Sequence, residues 1–325
     1  MDEDMTPKIT YLRMSITDRC QLRCFYCTYW QDWEKLPSKE ILSYEELLRI
    51  AAVAAEAGVR KIRVTGGEPL IRRGMVSFIQ RLHQVPGIRE VCLTTNGVLL
   101  KELALPLYEA GLRHLNLSLD TLRRGRYQRI TGSDNLPEVM AGLERAASLG
   151  FHPLKINCVV LKGINDDELL DLALLARDHP YQVRFIELMP TISREQWHRH
   201  FLSIKEVHRR LEALGPQTPV AQTATAGPAR IFRYPGFLGE VGFISPMSKH
   251  NCGSCNRLRL TAAGKLRPCL LETLELDLKS MLGQGLSDAS LTDLFHEAIR
   301  RKNDRFGFPS VTHFPFSNSM ASIGG

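Results

Sequence analysis

From Tyr11 to about Leu214 the chain alternates short apolar or β-branched runs with stretches of helical periodicity. No other feature restricts the fold as much. The runs are YLRMSIT, KIRVT, EVCLTT, HLNLSLD, LKINCVV and QVRFIELM, and the intervals hold patterns such as GMVSFIQRLH, LPEVMAGLERAASLG and DDELLDLALLARD. The first interval, SYEELLRIAAVAAEAG, is the sharpest: Ser43 caps it, Glu46 completes a capping box, and Gly58 ends it. Strands separated by whole helices run parallel, with the helices crossing over the outer face. A closed barrel takes eight such units. Six predict an α/β fold, an incomplete (βα)6 barrel of TIM type, open on one side.

Polar residues gather where these strands end: Thr65 with GGEP, Thr94 to Asn96, Ser118 with Asp120, and Glu187. Parallel α/β folds bind ligands at that end. The repeat stops at LGPQTPVAQTATAGPAR, a Pro-, Thr- and Ala-rich segment that reads as a linker or long loop. The expected division is therefore 1–214, the partial barrel, and 215–325, a small appendage closing one side of it. A hairpin around AAGK would bring Cys269 back towards Cys252 and Cys255.

Charge and targeting signals narrow the function. The net charge is +7, yet Lys and Arg are scattered, with no long block and no run beyond the three residues Arg300 to Lys302. That favours a small polyanionic ligand and argues against a nucleic-acid partner. No run of about eighteen apolar residues is present, so no membrane span is expected. The start, MDEDMTPK, is acidic and lacks the apolar core of a secretory signal. A cytoplasmic location is expected, where clustered cysteines bind metal or do redox chemistry more often than they form disulfides.

CQLRCFYC places Cys20, Cys24 and Cys27 within eight residues, spaced C-x3-C-x2-C, just after the first strand. Ferredoxin spacings supply four thiolates to a cluster. Three thiolates on a cubane leave one iron open to a substrate-like ligand. The alternative is a zinc site completed by a distant His. Cys252, Cys255 and Cys269 repeat the incompleteness. His250 stands beside them, so a Cys3His zinc site is the alternative there. NRLR, Asn256 to Arg259, puts two arginines on one side of a strand next to this second trio, where cations suit an anionic ligand. Cys92 and Cys158 lie in predicted strands and read as buried small hydrophobes.

CQLRCFYC after the first strand, with TGGEP after the second, resembles the radical S-adenosylmethionine superfamily. The resemblance implies that the open iron chelates the amino and carboxylate groups of S-adenosylmethionine. It also implies that an electron then cleaves the C–S bond, giving a 5′-deoxyadenosyl radical that takes a hydrogen atom from substrate. Such chemistry needs a site closed to water.

Two three-cysteine motifs, TDRC, RFIELMP, CNRLRLTAAGKLRPCL and a terminal GG are similar, from about Tyr11 to Gly325, to the GTP 3′,8-cyclase family of molybdenum cofactor biosynthesis. The resemblance implies two 4Fe-4S clusters, on Cys20, Cys24 and Cys27 and on Cys252, Cys255 and Cys269, the second binding guanine. It implies that Tyr26, Gly67, Ser118 and Met189 line S-adenosylmethionine. GTP contacts are implied for Arg13, Arg63, Thr94, Lys155, Arg184, Arg257, Leu258 and Arg259. Arg13, Arg257 and Arg259 would position the nucleotide for catalysis. Also implied are an electron donor and, downstream, a cyclic pyranopterin monophosphate synthase used in sequence. Monomer and homodimer are both compatible with the chain. Gln21 and Thr28-Tyr29 depart from the family's usual Asn and Met-Pro, and the tail lacks the usual basic residue before Gly324-Gly325. The peptide-modifying radical enzymes and a zinc-stabilised nucleotide-binding protein are the rival readings.

Two polar features stay open at this level. Glu187 could be catalytic or could bridge ribose or backbone groups. Glu68 is expected, by analogy, to shape the pocket for the S-adenosylmethionine amino group. His198 and His200 in WHRH read as surface residues.

Overall fold

The computed structural model describes residues 9–27, 35–221, 227–249, 255–270, 274–303 and 320. Strands β1 (Tyr11–Ser15), β2 (Lys61–Thr65), β3 (Glu90–Thr95), β4 (His114–Ser118), β5 (Leu154–Val160) and β6 (Gln182–Glu187) lie side by side in chain order, each parallel to the next. Helices α1 (Tyr44–Glu56), α2 (Met75–His83), α3 (Leu100–Glu109), α4 (Arg124–Thr131), α5 (Leu136–Ser148) and α6 (Leu169–Asp178) make the crossovers. The Ser43–Glu46 capping box forms in both directions, and Gly58 leaves α1 at a φ of +101°.

After β6 come α7 (Arg194–His200), α8 (Ile204–Arg210), β7 (Thr218–Pro219), β8 (Arg230–Arg233), β9 (Glu240–Ile244), β10 (Arg257–Leu260), β11 (Lys265–Arg267) and β12 (Leu276–Asp277). Helices α9 (Leu278–Gly283) and α10 (Asp288–Asn303) follow. The later strands add to both edges of the six rather than to one: β9 pairs parallel with β6, and β10 pairs parallel with β1. The sheet order is β12-β11-β10-β1-β2-β3-β4-β5-β6-β9-β8-β7. Both edges of a six-stranded sheet expose unpaired N–H and C=O groups, and the later strands cover them. WHRH belongs to α7, a short helix in its own right, with His198 exposed.

Period-2 alternation then sorts the side chains. Leu12, Met14, Ile62, Val64, Val91, Leu93, Leu115, Leu117, Val183, Phe185, Leu258 and Leu260 are buried in one core with the inner faces of the helices. The residues between them face the other way: Arg13, Arg63, Cys92, Thr94, Asn116, Ser118, Lys155, Asn157, Arg184, Arg257 and Arg259. A closed barrel packs its interior with branched apolar residues. This interior is polar and cationic, as a chamber for a charged ligand requires.

Candidate active site

The first cysteine loop is built against the loop that follows β2. Gly67 N–H donates to Thr17 O at 2.7 Å, and Glu68 N–H donates to Arg19 O at 2.7 Å. A Cβ on Gly66 would lie 2.4 Å from Thr17 O, and one on Gly67 2.3 Å from Arg19 O. Only glycine lets these two backbones meet. The Glu68 carboxylate accepts from Thr95 Oγ1 (2.7 Å), Asn96 N (2.7 Å) and Leu70 N (3.0 Å). Burial lifts its pKa to about 7, against the pull of those three bonds. Asn96 in turn places its side-chain amide 3.6 Å from Cys20 Sγ. Glu68 thus ties the end of β3 to the cysteine loop.

Tyr26 donates its hydroxyl to Asp120 Oδ2 at 2.5 Å, while Asp120 Oδ1 accepts from Val159 N at 2.8 Å. Burial raises Asp120 to about 6. The Tyr26 carbonyl accepts from Thr191 Oγ1, and Thr191 N–H donates to Met189 O at 2.8 Å, joining two of the expected S-adenosylmethionine positions. Burial and then Glu68 push the Cys20 thiol up to about 11. Cys24 stands well above its ordinary value through burial, then Cys27 and Asp120. Met320 N–H donates to Cys27 O at 3.2 Å, so this residue touches the loop. Gly324 and Gly325 lie outside the described residues, as do Thr28 and Tyr29.

Strand register brings the expected GTP residues together. Arg259 pairs with Arg13, and Arg13 with Arg63, across β10, β1 and β2. On the other flank Lys155 and Arg184 occupy β5 and β6. Burial, then Arg184, Arg63 and Lys61, lowers Lys155 to about 7. Burial also lowers Arg184 to about 10, with Arg63 adding to it. Arg13 falls to about 10, by burial and then by the fields of Arg63 and Arg257, which outweigh the help of Tyr11. Arg259 falls further, through burial, Arg13 and Arg257. Arg63 is the exception. Burial opposes its charge, but Tyr11, Cys92 and Glu90 hold its pKa above the usual value, and its Nε donates to Tyr11 Oη at 2.5 Å. Crowded cations depress one another unless a polyanion joins them.

The β10–β11 hairpin forms as expected, with Arg259 opposite Arg267. Cys255 lies just before β10 and Cys269 just after β11, while Cys252 and His250 lie outside the described residues. Lys302 on α10 reaches into the hairpin, its Nζ 3.4 Å from Cys255 Sγ and 2.9 Å from Pro268 O. Burial would raise Cys255, but Arg257 and Lys302 outweigh it and bring the thiol down to about 6.

Other expectations resolve differently. The Leu258 side chain lies in the outer core at 0% exposure, so only its backbone faces the chamber side. Cys158 is a core residue, as expected. Cys92 is buried too, but on the polar face, with its thiol 3.0 Å from Glu90 Oε1. Glu187 accepts from Ile204 N, Met247 N, Ser248 N and Ser248 Oγ, which makes it a backbone clamp. Asn116 and Asn157 were not singled out by motif, yet alternation along β4 and β5 already puts them beside Ser118 and Lys155. Thr94 Oγ1, Asn116 Oδ1 and Asn157 Oδ1 are buried without a hydrogen-bond partner. Native proteins rarely leave buried polar atoms orphaned, and a binding site is one reason they do. Among the described residues no three His, Cys, Asp or Glu side chains converge as a single metal ion requires.

Residues 14–176 match the Radical SAM superfamily, and residues 181–308 match Molybdenum Cofactor Synthesis C. A protein of Thermodesulfovibrio yellowstonii named GTP 3′,8-cyclase is 44% identical over all of both chains. One of the same name from Pelotomaculum thermopropionicum is 46% identical over 94% of each. The chain belongs to the GTP 3′,8-cyclase family. A further member, from Geobacter sulfurreducens, is 43% identical over 98% of this chain and 97% of its own. The fold is shared more widely. Streptococcus suis SuiB superposes with a TM-score of 0.60 at 13% identity, covering 89% of this chain and 68% of that one.

For a radical SAM cyclase the cofactors are S-adenosylmethionine and an iron–sulfur cluster. The first loop fits both. Its three cysteines offer the thiolate donors that clusters take. The Gly66-Gly67 approach leaves no side chain in the way, and Asn157 Oδ1, in register with Ser118, is an unpartnered acceptor.

Proposed function

We infer that this protein converts GTP to (8S)-3′,8-cyclo-7,8-dihydroguanosine 5′-triphosphate, the first step of molybdenum cofactor biosynthesis. The observation that carries the reading is the register of cations: Arg259, Arg13 and Arg63 on three adjacent strands, faced by Lys155 and Arg184. A triphosphate is the kind of ligand that relieves such crowding. The division of labour follows the chain. Residues 1–214 hold the S-adenosylmethionine cluster on Cys20, Cys24 and Cys27. Residues 215–325 hold a second cluster on Cys252, Cys255 and Cys269, beside the base.

When bound, S-adenosylmethionine and its cluster supply a 5′-deoxyadenosyl radical. The chain's own part is placement. Tyr26, Gly67, Ser118 and Met189 line the S-adenosylmethionine side, with Tyr26 fixed by Asp120. Arg13, Arg63, Thr94, Lys155, Arg184, Arg257 and Arg259, with the Leu258 backbone, hold the nucleotide. Joining C3′ to C8 requires a hydrogen atom to leave C3′, the new bond to form, and one electron and one proton to enter. An electron donor is therefore a required partner. Arg13, Arg257 and Arg259 contribute by fixing the ribose and base relative to each other, and position supplies much of the rate.

Anaerobically reconstituted protein with GTP, S-adenosylmethionine and dithionite tests this. Mass spectrometry is expected to find a nucleotide isomeric with GTP but separable from it, formed in step with 5′-deoxyadenosine. Iron and sulfide present with neither product would overturn the reading.

A further inference from the structure

The ring of cations has a gap. Arg63 on β2 and Lys155 on β5 border it; Lys155 is in register with Asn116 on β4 and Thr94 on β3, while Arg63 pairs with Cys92, two residues before Thr94 on the same face. Thr94 and Asn116 are neutral, and both carry a buried oxygen with no partner, Thr94 Oγ1 and Asn116 Oδ1. Asn116 is 4% exposed and lies on the chamber face, between Leu115 and Leu117, which point into the outer core. Nothing in the resemblance assigns Asn116 a role.

We propose that Asn116 holds a ribose hydroxyl of the nucleotide and so sets the sugar's orientation; this rests on the cyclase reading above. An unpartnered amide oxygen needs a donor. Ionised phosphate oxygens are acceptors only, so the triphosphate cannot satisfy it. The base has donors, but the second cysteine site that would take it lies beyond β10, four strands from β4 in the sheet. The ribose hydroxyls are the donors left between phosphate and base. A sugar pinned at this point, beside the phosphate cation Lys155 and one residue pair below Ser118, presents C3′ in one attitude towards the S-adenosylmethionine side. Discrimination against deoxynucleotides follows, because a site built to bond a hydroxyl rejects the analogue lacking it.

The test is anaerobic equilibrium binding of GTP, 2′-deoxy-GTP and 3′-deoxy-GTP to the reconstituted protein and to its Asn116→Ala and Asn116→Asp variants. Wild type is expected to bind one deoxy analogue about tenfold more weakly than GTP, the scale of one lost hydrogen bond. Asn116→Ala is expected to weaken GTP by the same factor and leave that analogue unchanged. Asn116→Asp keeps an acceptor and is expected to retain the discrimination between GTP and that analogue, while its charge weakens all three nucleotides alike. Equal losses for all three nucleotides in Asn116→Ala would overturn the proposal. So would loss of the discrimination between GTP and that analogue in Asn116→Asp, which keeps the acceptor oxygen. Failure of the wild type to bind GTP at all would instead remove the cyclase reading.

Discussion

The two cysteine sites use the same ligand type in opposite fields. Around the first, burial with the carboxylates Glu68 and Asp120 drives the thiols up, Cys20 to about 11. Around the second, Arg257 and Lys302 bring Cys255 down to about 6 in spite of burial. The contrast separates two tasks. Negative surroundings lower the potential of an iron–sulfur centre, which suits reduction of a reluctant sulfonium. On the proposed function, positive surroundings would suit the second site, which is assigned the base beside a triphosphate.

The largest test of that contrast is the loss of one thiolate from each side. Cys24→Ser is expected to reduce 5′-deoxyadenosine formation to background. Cys255→Ser is expected to keep S-adenosylmethionine binding and lose the cyclised nucleotide. Product analysis by mass spectrometry separates them, and identical failures would erase the division. Gly67→Ala comes next, because its Cβ would meet Arg19 O at 2.3 Å. Displacing the first cysteine loop by that collision should cost roughly a hundredfold in S-adenosylmethionine cleavage, with Cys255 chemistry unchanged.

Thiol reactivity probes the fields directly. In metal-free protein at pH 7, Cys255 is mostly thiolate and Cys20 almost wholly thiol. After the lower nucleophilicity of the more acidic thiol is allowed for, Cys255 should alkylate about a hundredfold faster. Peptide mapping after a timed pulse of iodoacetamide measures the ratio, and equal rates would contradict the electrostatic account.

Lys155 gives a prediction of sign. Its pKa in the empty chamber is about 7, and a bound polyanion raises it. Binding GTP at pH 8 should therefore take up close to one proton. Affinity should fall by at most about tenfold per pH unit as pH rises above 7. Calorimetry in buffers of different ionisation enthalpy reads the uptake, and Lys155→Arg should abolish it. The smallest effect is a control: Ser43→Ala removes the α1 capping box and should cost about 1 kcal/mol in denaturant unfolding while leaving both cysteine sites intact.

Much of this was legible in the chain because the determinants are local. KIRVT, EVCLTT and LKINCVV became β2, β3 and β5 with the bounds read from them. Ser43 and Glu46 announced α1 through bonds made within one turn. Non-local pairing was not legible. That β9 and β10 extend opposite edges of the sheet depends on which edges β6 and β1 leave open, and no short pattern encodes that. Glu187 shows the same limit: its carboxylate is spent on backbone N–H groups 17 to 61 residues away. Asn116 was readable by alternation but carried no motif, and its significance came only with the orphaned oxygen.

The central claim is that the polar chamber delivers C3′ of GTP to the radical made at the first cysteine site. Reconstituted protein given S-adenosylmethionine, dithionite and GTP deuterated at C3′ tests it in a single mass spectrum. The account predicts deuterium in the 5′-deoxyadenosine, one atom per cyclised nucleotide. 5′-Deoxyadenosine without deuterium, from protein that has bound GTP, would contradict it.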